Sequence, residues 1–209
     1  MGGIDKVFTP LSSMPVLAYS LRAFSQVDAI RELVVVVGPG EVKRARSLVD
    51  ELTLTIPCIC VAGGERRQDS VLAGLSALAD CTWVAIHDAA RPLVTPALIA
   101  AGLEAALKTG AAIPGIPVTD TIKFIDASAR VTGTPDRSSL RAVQTPQVFR
   151  LAMLLDAYAA NKETVTDDAA LIEQAGGEVI VYPGDPDNIK VTYKRDLALA
   201  EQLLRERLS

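Results

Sequence analysis

Short runs of aliphatic and β-branched residues alternate with helical patterns along this chain, and the alternation limits the folds open to it. Residues 33–37 read Leu-Val-Val-Val-Val and end at Gly38, as is typical of a parallel strand buried on both faces. Further strands are predicted over residues 57–62, 83–87, 111–118 and 178–182. Helices are predicted over residues 15–26, 41–52, 68–79, 96–108, 166–175 and 194–208.

This order of elements predicts an α/β fold. Strands that alternate with helices form right-handed crossovers, which give a mainly parallel sheet with helices on both faces. Pro114 and Pro117 lie in the fourth strand and place it at an edge or a bend of that sheet. With 209 residues and 49% hydrophobic residues, the chain is long and apolar enough for one domain with a sizeable core.

The segment 119–140 interrupts the alternation. Residues 122–125 and 131–133 flank a polar turn, a pattern that predicts an inserted β-hairpin. A two-stranded hairpin is marginally stable alone in water, so we expect it to pack on another surface. A second subunit is a candidate for that surface.

The net charge limits the binding partners that the sequence allows, and the cysteines indicate the cellular compartment. A net charge of −4 argues against a nucleic-acid-binding surface, but a few local cations are enough for a phosphorylated small molecule. No apolar stretch approaches the roughly 18 residues that cross a bilayer. Cys58, Cys60 and Cys81 are interpreted as buried thiols of a reducing cytoplasm, with the first two expected on opposite faces of their strand.

The hexapeptide His-Asp-Ala-Ala-Arg-Pro at residues 87–92 follows the third strand directly. Ligands of open α/β sheets bind at the carboxyl ends of the strands. There, Asp88 can hold a metal ion, Ala89 lets a ligand approach the backbone, and Arg91 can pair with a phosphate. The alternative is a strand-end turn in which Asp88 caps the next helix. His87 is interpreted as a scaffold residue that bonds the backbone.

Two loops are further candidates. The paired glycines of the loop 63–71 let its backbone come close to a ligand, and Ser70 can bond that ligand or cap the following helix. In the loop 184–192, Lys190 can supply a positive charge to phosphates and Asp187 can reach a cation. A tight turn and a solvated loop, respectively, are the alternatives.

No covalent or dinucleotide chemistry is indicated. The chain has no interpretable Ser/His/Asp or Cys/His arrangement, and no Gly-x-Gly-x-x-Gly follows a strand. Thr145 is a possible hydroxyl donor to a phosphate. Arg137, on the hairpin, gains a role only if the hairpin reaches the site of another subunit.

Taken together and in this order, the motifs resemble those of the 2-C-methyl-D-erythritol 4-phosphate cytidylyltransferases. The residues that carry the resemblance are 63–75, 87–92, 120–121, 136–137, 145–147, 166–168 and 188–192. The resemblance runs from about Gly3 to the C-terminus. It implies a three-layer, Rossmann-like nucleotidyltransferase fold over residues 1–209, with the segment 119–140 as a dimerisation arm.

The resemblance also implies an activity, the transfer of a cytidylyl group from CTP to 2-C-methyl-D-erythritol 4-phosphate in non-mevalonate isoprenoid biosynthesis. Pyrophosphate leaves as the phosphate of the acceptor attacks the α-phosphorus in line. The implied cofactor is Mg²⁺, and the implied assembly is a cytoplasmic homodimer that binds neither nucleic acid nor membrane. Transfer to ribitol 5-phosphate is the alternative within the class, and the ribitol enzymes carry bulkier residues than Ala89 and Ala90.

Site residues follow from the resemblance position by position. The cytosine and ribose are expected beside four residues: Gly63, Gly64, Glu65 and Ser70. Asp88 and Ala89 are expected beside the triphosphate and its Mg²⁺, with Asp187 as a further candidate ligand, while Lys6 and Lys190 contact the phosphates. The acceptor phosphate is expected against Arg91 and Thr145, and against Thr121 and Arg137 from the arm of the partner. The catalytic set is Lys6, Asp88, Arg137 and Lys190.

One departure from the family pattern concerns the N-terminus. The family begins with a strand and an Ala-Ala-Gly-x-Gly-x-Arg-Met loop, and Met1 aligns with the last residue of that loop. We expect that strand and loop to be missing before residue 1, which leaves open a catalytically silent nucleotide-binding protein. A parallel sheet without its first strand exposes strand edges and uncovers apolar helix faces.

Overall fold

The computed structural model describes residues 6–161 and 165–208. The strands, numbered in chain order, are β1 (Pro10–Leu11), β2 (Met14–Pro15), β3 (Leu33–Val37), β4 (Cys58–Ala62), β5 (Trp83–Ile86), β6 (Ala111–Pro117), β7 (Phe124–Ile125), β8 (Val131–Gly133), β9 (Arg141–Val143), β10 (Gln147–Arg150) and β11 (Ile180–Pro183). The helices are α1 (Val16–Ser25), α2 (Val42–Leu52), α3 (Arg67–Ala77), α4 (Pro96–Ala106), α5 (Leu151–Ala160), α6 (Asp168–Gln174) and α7 (Lys194–Leu208).

The larger sheet has the order β11-β6-β10-β5, and β9 also pairs with β6. β10 is antiparallel to both β5 and β6, while β11 is parallel to β6. Strands β5, β6 and β11 therefore point the same way, while β9 and β10 run in the opposite direction. The predicted α/β fold is confirmed, but neither β10 nor the helix α5 that follows it was predicted.

The prolines of the fourth strand predicted either an edge or a bend of the sheet, and the edge is wrong. β6 lies inside the sheet, with β11 on one side and first β10, then β9, on the other. The change of partner occurs at Pro114, whose carbonyl accepts a hydrogen bond from the amide of Gln144 (2.8 Å). A proline, which has no N–H to donate, is tolerated where one partner strand gives way to the next.

Helices cover both faces of this sheet. Phe24 of α1 and Ile99 of α4 share one buried cluster with Val148 of β10. The neighbouring residue, Phe149, points the opposite way and packs with Leu75 of α3 and Leu154 of α5. Alternating side chains of one strand thus enter two cores, which gives the three layers of an α/β sandwich.

Over the residues that the structure describes, a second sheet consists of β3 and β4, which are parallel. A cavity of about 1140 Å³ separates β3 from β5 and is lined by both strands and by residues of α1, α3 and α4. All four residues of β5 are only partly buried, although they are apolar. The two sheets therefore face each other across an open slot.

The arm is a hairpin, as predicted. β7 and β8 are antiparallel, and residues 119–132 are all solvent-exposed. Phe124 is 59% exposed, while Ile125 and Val131 are each 62% exposed. Exposed apolar residues on a protruding hairpin are typical of a protein interface.

The three cysteines are free thiols, but only Cys60 is buried as expected, while Cys58 and Cys81 are partly buried. Cys58 and Cys60 pack into the same cluster, with Leu17 and Val35, so the expectation that they point to opposite faces is wrong. Residues two apart in a strand share a face. Burial raises the pKa of Cys58 to about 12. In the described part of the chain, no helix is long and apolar enough to cross a bilayer.

Candidate functional site

The backbone of Asp88 is fixed at the point where β5 ends. Its amide donates to Oγ1 of Thr145 (3.0 Å), and its carbonyl accepts the amide of Arg91 (2.9 Å). The hydroxyl of Thr145 also lies 3.0 Å from Nδ1 of His87. Thr145 lies two residues before the start of β10, so the antiparallel neighbour of β5 holds the candidate site in register with the sheet.

His87 is a scaffold residue, as interpreted from the sequence. Its Nε2 lies 3.2 Å from the carbonyl of Arg91, so this nitrogen carries the proton and Nδ1 accepts the hydroxyl of Thr145. Burial lowers the pKa of His87 to about 4, which keeps the ring neutral at physiological pH. The proton of the Thr145 hydroxyl is therefore already committed to His87.

The Asp88 carboxylate lies among positive charges. Its Oδ2 is 2.8 Å from Nζ of Lys190 and 3.7 Å from Nε of Arg91. Burial favours the neutral acid, but the hydrogen bond and charge of Lys190, followed by the charges of Arg91 and Arg67, lower the pKa of Asp88 overall. The group therefore stays ionised at neutral pH and holds the cations near one another.

Arg67 is a site residue that the sequence did not single out. Its Nη2 lies 2.6 Å from Oδ2 of Asp168, a fully buried carboxylate whose Oδ1 accepts the hydroxyl of Tyr158 (2.5 Å). Burial together with this hydrogen bond raises the pKa of Tyr158, so the phenol keeps its proton. From the sequence, the motif 166–168 contributes only to the family resemblance, because Arg67, the partner of Asp168, lies about a hundred residues away in the chain.

A cleft of about 270 Å³ lies in front of Asp88. The described residues that line it are Arg67, Asp88, Arg91, Val143, Gln144, Thr145, Gln147, Thr166, Asp167 and Lys190. Arg67 and Asp88 also line the slot between β3 and β5, so the two spaces meet at the carboxyl end of β5. The structure thus brings Asp88, Arg91, Thr145 and Lys190 together as predicted.

The glycine loop lies at the same end of the slot. Ser70 lines the slot, and its Oγ accepts the amide of Gly64 (3.2 Å). A Cβ on Gly63 would lie 2.6 Å from Oγ of Ser70, so the loop can fold back on α3 only with glycine there. Glu65 is exposed at the tip of the loop. Ala89 also lines the slot, opposite this loop.

Lys6 lies beside the Lys190 segment, where its Nζ donates to the carbonyl of Thr192. The segment itself is anchored by Asn188, whose side-chain amide donates to the carbonyl of Thr145 (2.8 Å). Asp187 does not line the cleft, and its Oδ2 lies 3.7 Å from Nη2 of Arg207.

Thr121 and Arg137 lie on the arm and line neither space. Both are exposed, and Nη1 of Arg137 donates to the carbonyl of Thr119 (3.1 Å) at the base of the arm. Within one chain, therefore, the structure does not bring them to Asp88.

One carboxylate in the cleft is suited to a cation shared with a ligand. Over the described residues, no group of three or more histidine, cysteine, aspartate or glutamate side chains could hold a metal ion by itself. Mg²⁺ needs fewer protein ligands, because it keeps waters and binds through one or two carboxylates plus substrate phosphates. The partly exposed Asp88 fits that donor set.

Comparison with known proteins identifies the family. The family model for 2-C-methyl-D-erythritol 4-phosphate cytidylyltransferase matches residues 1–206. The enzyme of that name from Dehalococcoides mccartyi is 45% identical over 206 residues, which cover 99% of this chain and 91% of the relative. The one from Acidobacterium capsulatum is 44% identical over 98% of this chain and 89% of its own length.

Solved structures agree. The 4-diphosphocytidyl-2C-methyl-D-erythritol synthase of Anaerococcus prevotii superimposes with a TM-score of 0.89 at 28% identity, covering 95% of this chain and 93% of its own. The Thermus thermophilus 2-C-methyl-D-erythritol 4-phosphate cytidylyltransferase gives 0.80 at 34% identity, over 96% and 93%. The predicted family, nucleotidyltransferase class and fold are confirmed: this chain belongs to the 2-C-methyl-D-erythritol 4-phosphate cytidylyltransferase family.

Proposed function

We propose that this chain transfers a cytidylyl group from CTP to 2-C-methyl-D-erythritol 4-phosphate, with release of pyrophosphate, as a step of isoprenoid biosynthesis. The observation that carries the proposal is the cleft in which Asp88 lies 2.8 Å from Lys190 and 3.7 Å from Arg91. Cations grouped around one ionised carboxylate suit a polyphosphate bound with a divalent cation. The family relationship supplies the identity of the two substrates.

The nucleoside is assigned to the loop between β4 and α3. Gly63 and Gly64 have no side chains to keep a flat base away from the backbone, while Glu65 and Ser70 offer polar groups for the ribose and the base edge. Ala89, opposite the loop, leaves room for the phosphates to approach β5. This arrangement gives the cytosine end and the phosphate end of CTP adjoining positions.

The divalent cation is assigned to Asp88, and we propose Mg²⁺. When bound, the ion neutralises charge on the triphosphate and on the departing pyrophosphate. Lys190 now occupies one oxygen of the Asp88 carboxylate, and it is free to turn toward a phosphate because half of its side chain is exposed. Asp187 remains a secondary candidate for the ion, on the far side of the loop.

Catalysis is assigned to positioning and charge neutralisation. Lys190 approaches from the segment after β11, Lys6 from the N-terminal part of the chain beside that segment, and Arg67 from α3. These cations hold the triphosphate so that the acceptor oxygen lies in line with the bond to pyrophosphate. Fixed charges of this kind stabilise the transition state most, since they need no reorganisation during the reaction. No protein nucleophile is required.

The acceptor phosphate is assigned to Arg91, together with Thr121 and Arg137 of the partner subunit in a homodimer. The exposed apolar residues of the arm and the distance of its two polar residues from the cleft of their own chain support this assembly. Because the Thr145 proton is committed to His87, Thr145 acts by holding the backbone of Asp88 in place.

Pyrophosphate release tests the proposal. The protein is incubated with CTP, Mg²⁺ and either 2-C-methyl-D-erythritol 4-phosphate or ribitol 5-phosphate, and we expect release with the first. Asp88→Asn keeps the shape of the side chain but removes the charge, so its activity should fall steeply. Asp156→Asn, on an exposed face of α5, is the matched control. Release with ribitol 5-phosphate alone, or full activity of Asp88→Asn, would overturn the assignment.

A further inference from the structure

The buried carboxylate of Asp168 joins three helices behind the cleft. Asp168 is the first residue of α6, and its side chain is fully buried. Its Oδ1 accepts the hydroxyl of Tyr158 on α5 (2.5 Å), and its Oδ2 accepts Nη2 of Arg67 on α3 (2.6 Å). Each oxygen has a partner on a different helix, so the carboxylate cannot turn without breaking a hydrogen bond.

The place of Asp168 is fixed relative to Asp88 through the larger sheet. The preceding residue, Asp167, caps α6, and its Oδ2 accepts Nε2 of the buried Gln147 (2.8 Å). Gln147 begins β10 and lies opposite Ile86, the last residue of β5. Asp88 follows two residues later. The start of α6 is therefore fastened to the strand pair that carries the candidate metal ligand.

Arg67 extends from this network to the cleft. Its side chain is 38% exposed and lines both the cleft and the slot. Burial disfavours its charged form, but the hydrogen bond and charge of Asp168, followed by the charge of Asp88, raise the pKa of Arg67 overall. Among the residues that the structure describes, none accepts a hydrogen bond from Nε or Nη1 of Arg67. Asp168 thus holds one nitrogen of the guanidinium and leaves the other two for a ligand.

Stability alone does not account for this network. Desolvation of a buried ion pair offsets its attraction, and apolar side chains of similar volume often replace such a pair without loss. The three helices are already joined by a hydrophobic cluster that includes Leu75 of α3, Leu154 of α5 and Ile172 of α6. What the buried carboxylate adds to that cluster is the orientation of one cation.

We propose that Asp168 and Tyr158 are positioning residues, which hold the guanidinium of Arg67 so that its remaining N–H groups meet the phosphates of the nucleotide. A guanidinium is planar, so fixing one nitrogen restricts the directions of all its N–H groups. Neither Asp168 nor Tyr158 lines the cleft or the slot, and both act through Arg67. The inference rests on the proposed function for the identity of the ligand.

A double-mutant cycle tests the inference. The value of kcat/KM for CTP is measured by pyrophosphate release for the parent, Arg67→Met, Asp168→Asn and the double variant. Asp168→Asn should lower it on the order of tenfold or more when Arg67 is present, because a misplaced cation no longer meets the phosphates. With Arg67→Met the same change should cost less than about twofold. A purely structural role would cost the same factor in both backgrounds, and that result would refute the inference.

Tyr158→Phe provides a second route to the same answer. It keeps the carboxylate, so the chain retains its ion pair even if Asp168→Asn proves unfolded by circular dichroism. Its loss of kcat/KM should be smaller than that of Asp168→Asn and should also vanish with Arg67→Met. Equal losses with and without Arg67 would again refute the inference.

The matched control is an ion pair away from the site. Arg205 and Glu201 form an exposed pair on α7, and neither residue lines the cleft or the slot. Arg205→Met and Glu201→Gln, alone or combined, should leave kcat/KM unchanged. A loss of the same size as that of Asp168→Asn would show that the assay responds to any broken ion pair, which would remove the support for the inference.

Binding of pyrophosphate with Mg²⁺, measured by calorimetry, separates this inference from the proposed function. Asp168→Asn should weaken binding about tenfold in the parent and less than about twofold with Arg67→Met. That pattern in a chain that releases no pyrophosphate from CTP would uphold the inference and refute the proposed function. Turnover with equal losses in both backgrounds would do the reverse. No binding by the parent, or binding that does not depend on Arg67, would overturn the inference.

Discussion

Replacing Lys190 by methionine separates the catalytic use of this cation from its contribution to the fold. The side chain of Lys190 is 50% exposed and that of Asp88 is 21% exposed, so solvent screens their 2.8 Å contact. Ion pairs this exposed contribute about 0–1 kcal/mol to stability. Loss of a charge that stabilises the transition state costs far more, about 10²–10³-fold in kcat, or roughly 2.7–4 kcal/mol.

We therefore expect Lys190→Met to unfold in urea within about 1 kcal/mol of the parent while its turnover falls about 100-fold or more. Turnover is followed by pyrophosphate release at saturating CTP and acceptor, and unfolding is followed by circular dichroism. Lys194→Met is the matched control, because Lys194 is exposed at the start of α7 and lines neither cavity. A folded Lys190→Met protein with parental turnover would refute the role of Lys190.

Three further measurements have defined outcomes. Tyr158→Phe removes one of two partners of the buried Asp168 and should lower the free energy of unfolding in urea by about 1.5–3 kcal/mol. Because the pKa of Asp88 is lowered in the folded state, its contribution to stability is lost as pH falls; Lys190→Met should move acid unfolding, followed by circular dichroism, to higher pH. Mixed Asp88→Asn and Arg137→Ala subunits should regain activity in heterodimers, and no recovery despite demonstrated subunit exchange would refute the shared site.

The sequence predicted best those elements whose signal is local. β3 and β4 are apolar runs that are each followed by a glycine, and their predicted limits are within one residue of the observed ones. β10 was missed because its four residues include Gln147 and Arg150 and show no alternation. Its burial between β5 and β6 comes from tertiary packing, which overrides a weak local pattern.

In the candidate site, too, the sequence predicted the residues that a local pattern marks and missed those that depend on distant partners. Asp88 was found because a polar residue directly after a buried strand is visible in the sequence. Arg67 was missed because its meaning depends on Asp168, on another helix, and neither the charge nor the spacing of Arg67 distinguishes it from Arg66 beside it. Arg66 pairs instead with Asp69 within the same turn, at the surface (2.6 Å).

β5 links the slot to the site, since Asp88 follows directly on a strand that pairs, within the part of the chain that the structure describes, with β10 alone. The β10 side holds its carboxyl end through Thr145, which bonds both the Asp88 amide and His87. On the side of the slot, none of the described strands pairs with β5, and every residue of β5 stays partly exposed. Thr145 therefore fixes both the end of β5 and the position of the carboxylate, because local opening of β5 would displace Asp88 from Lys190 and Arg91.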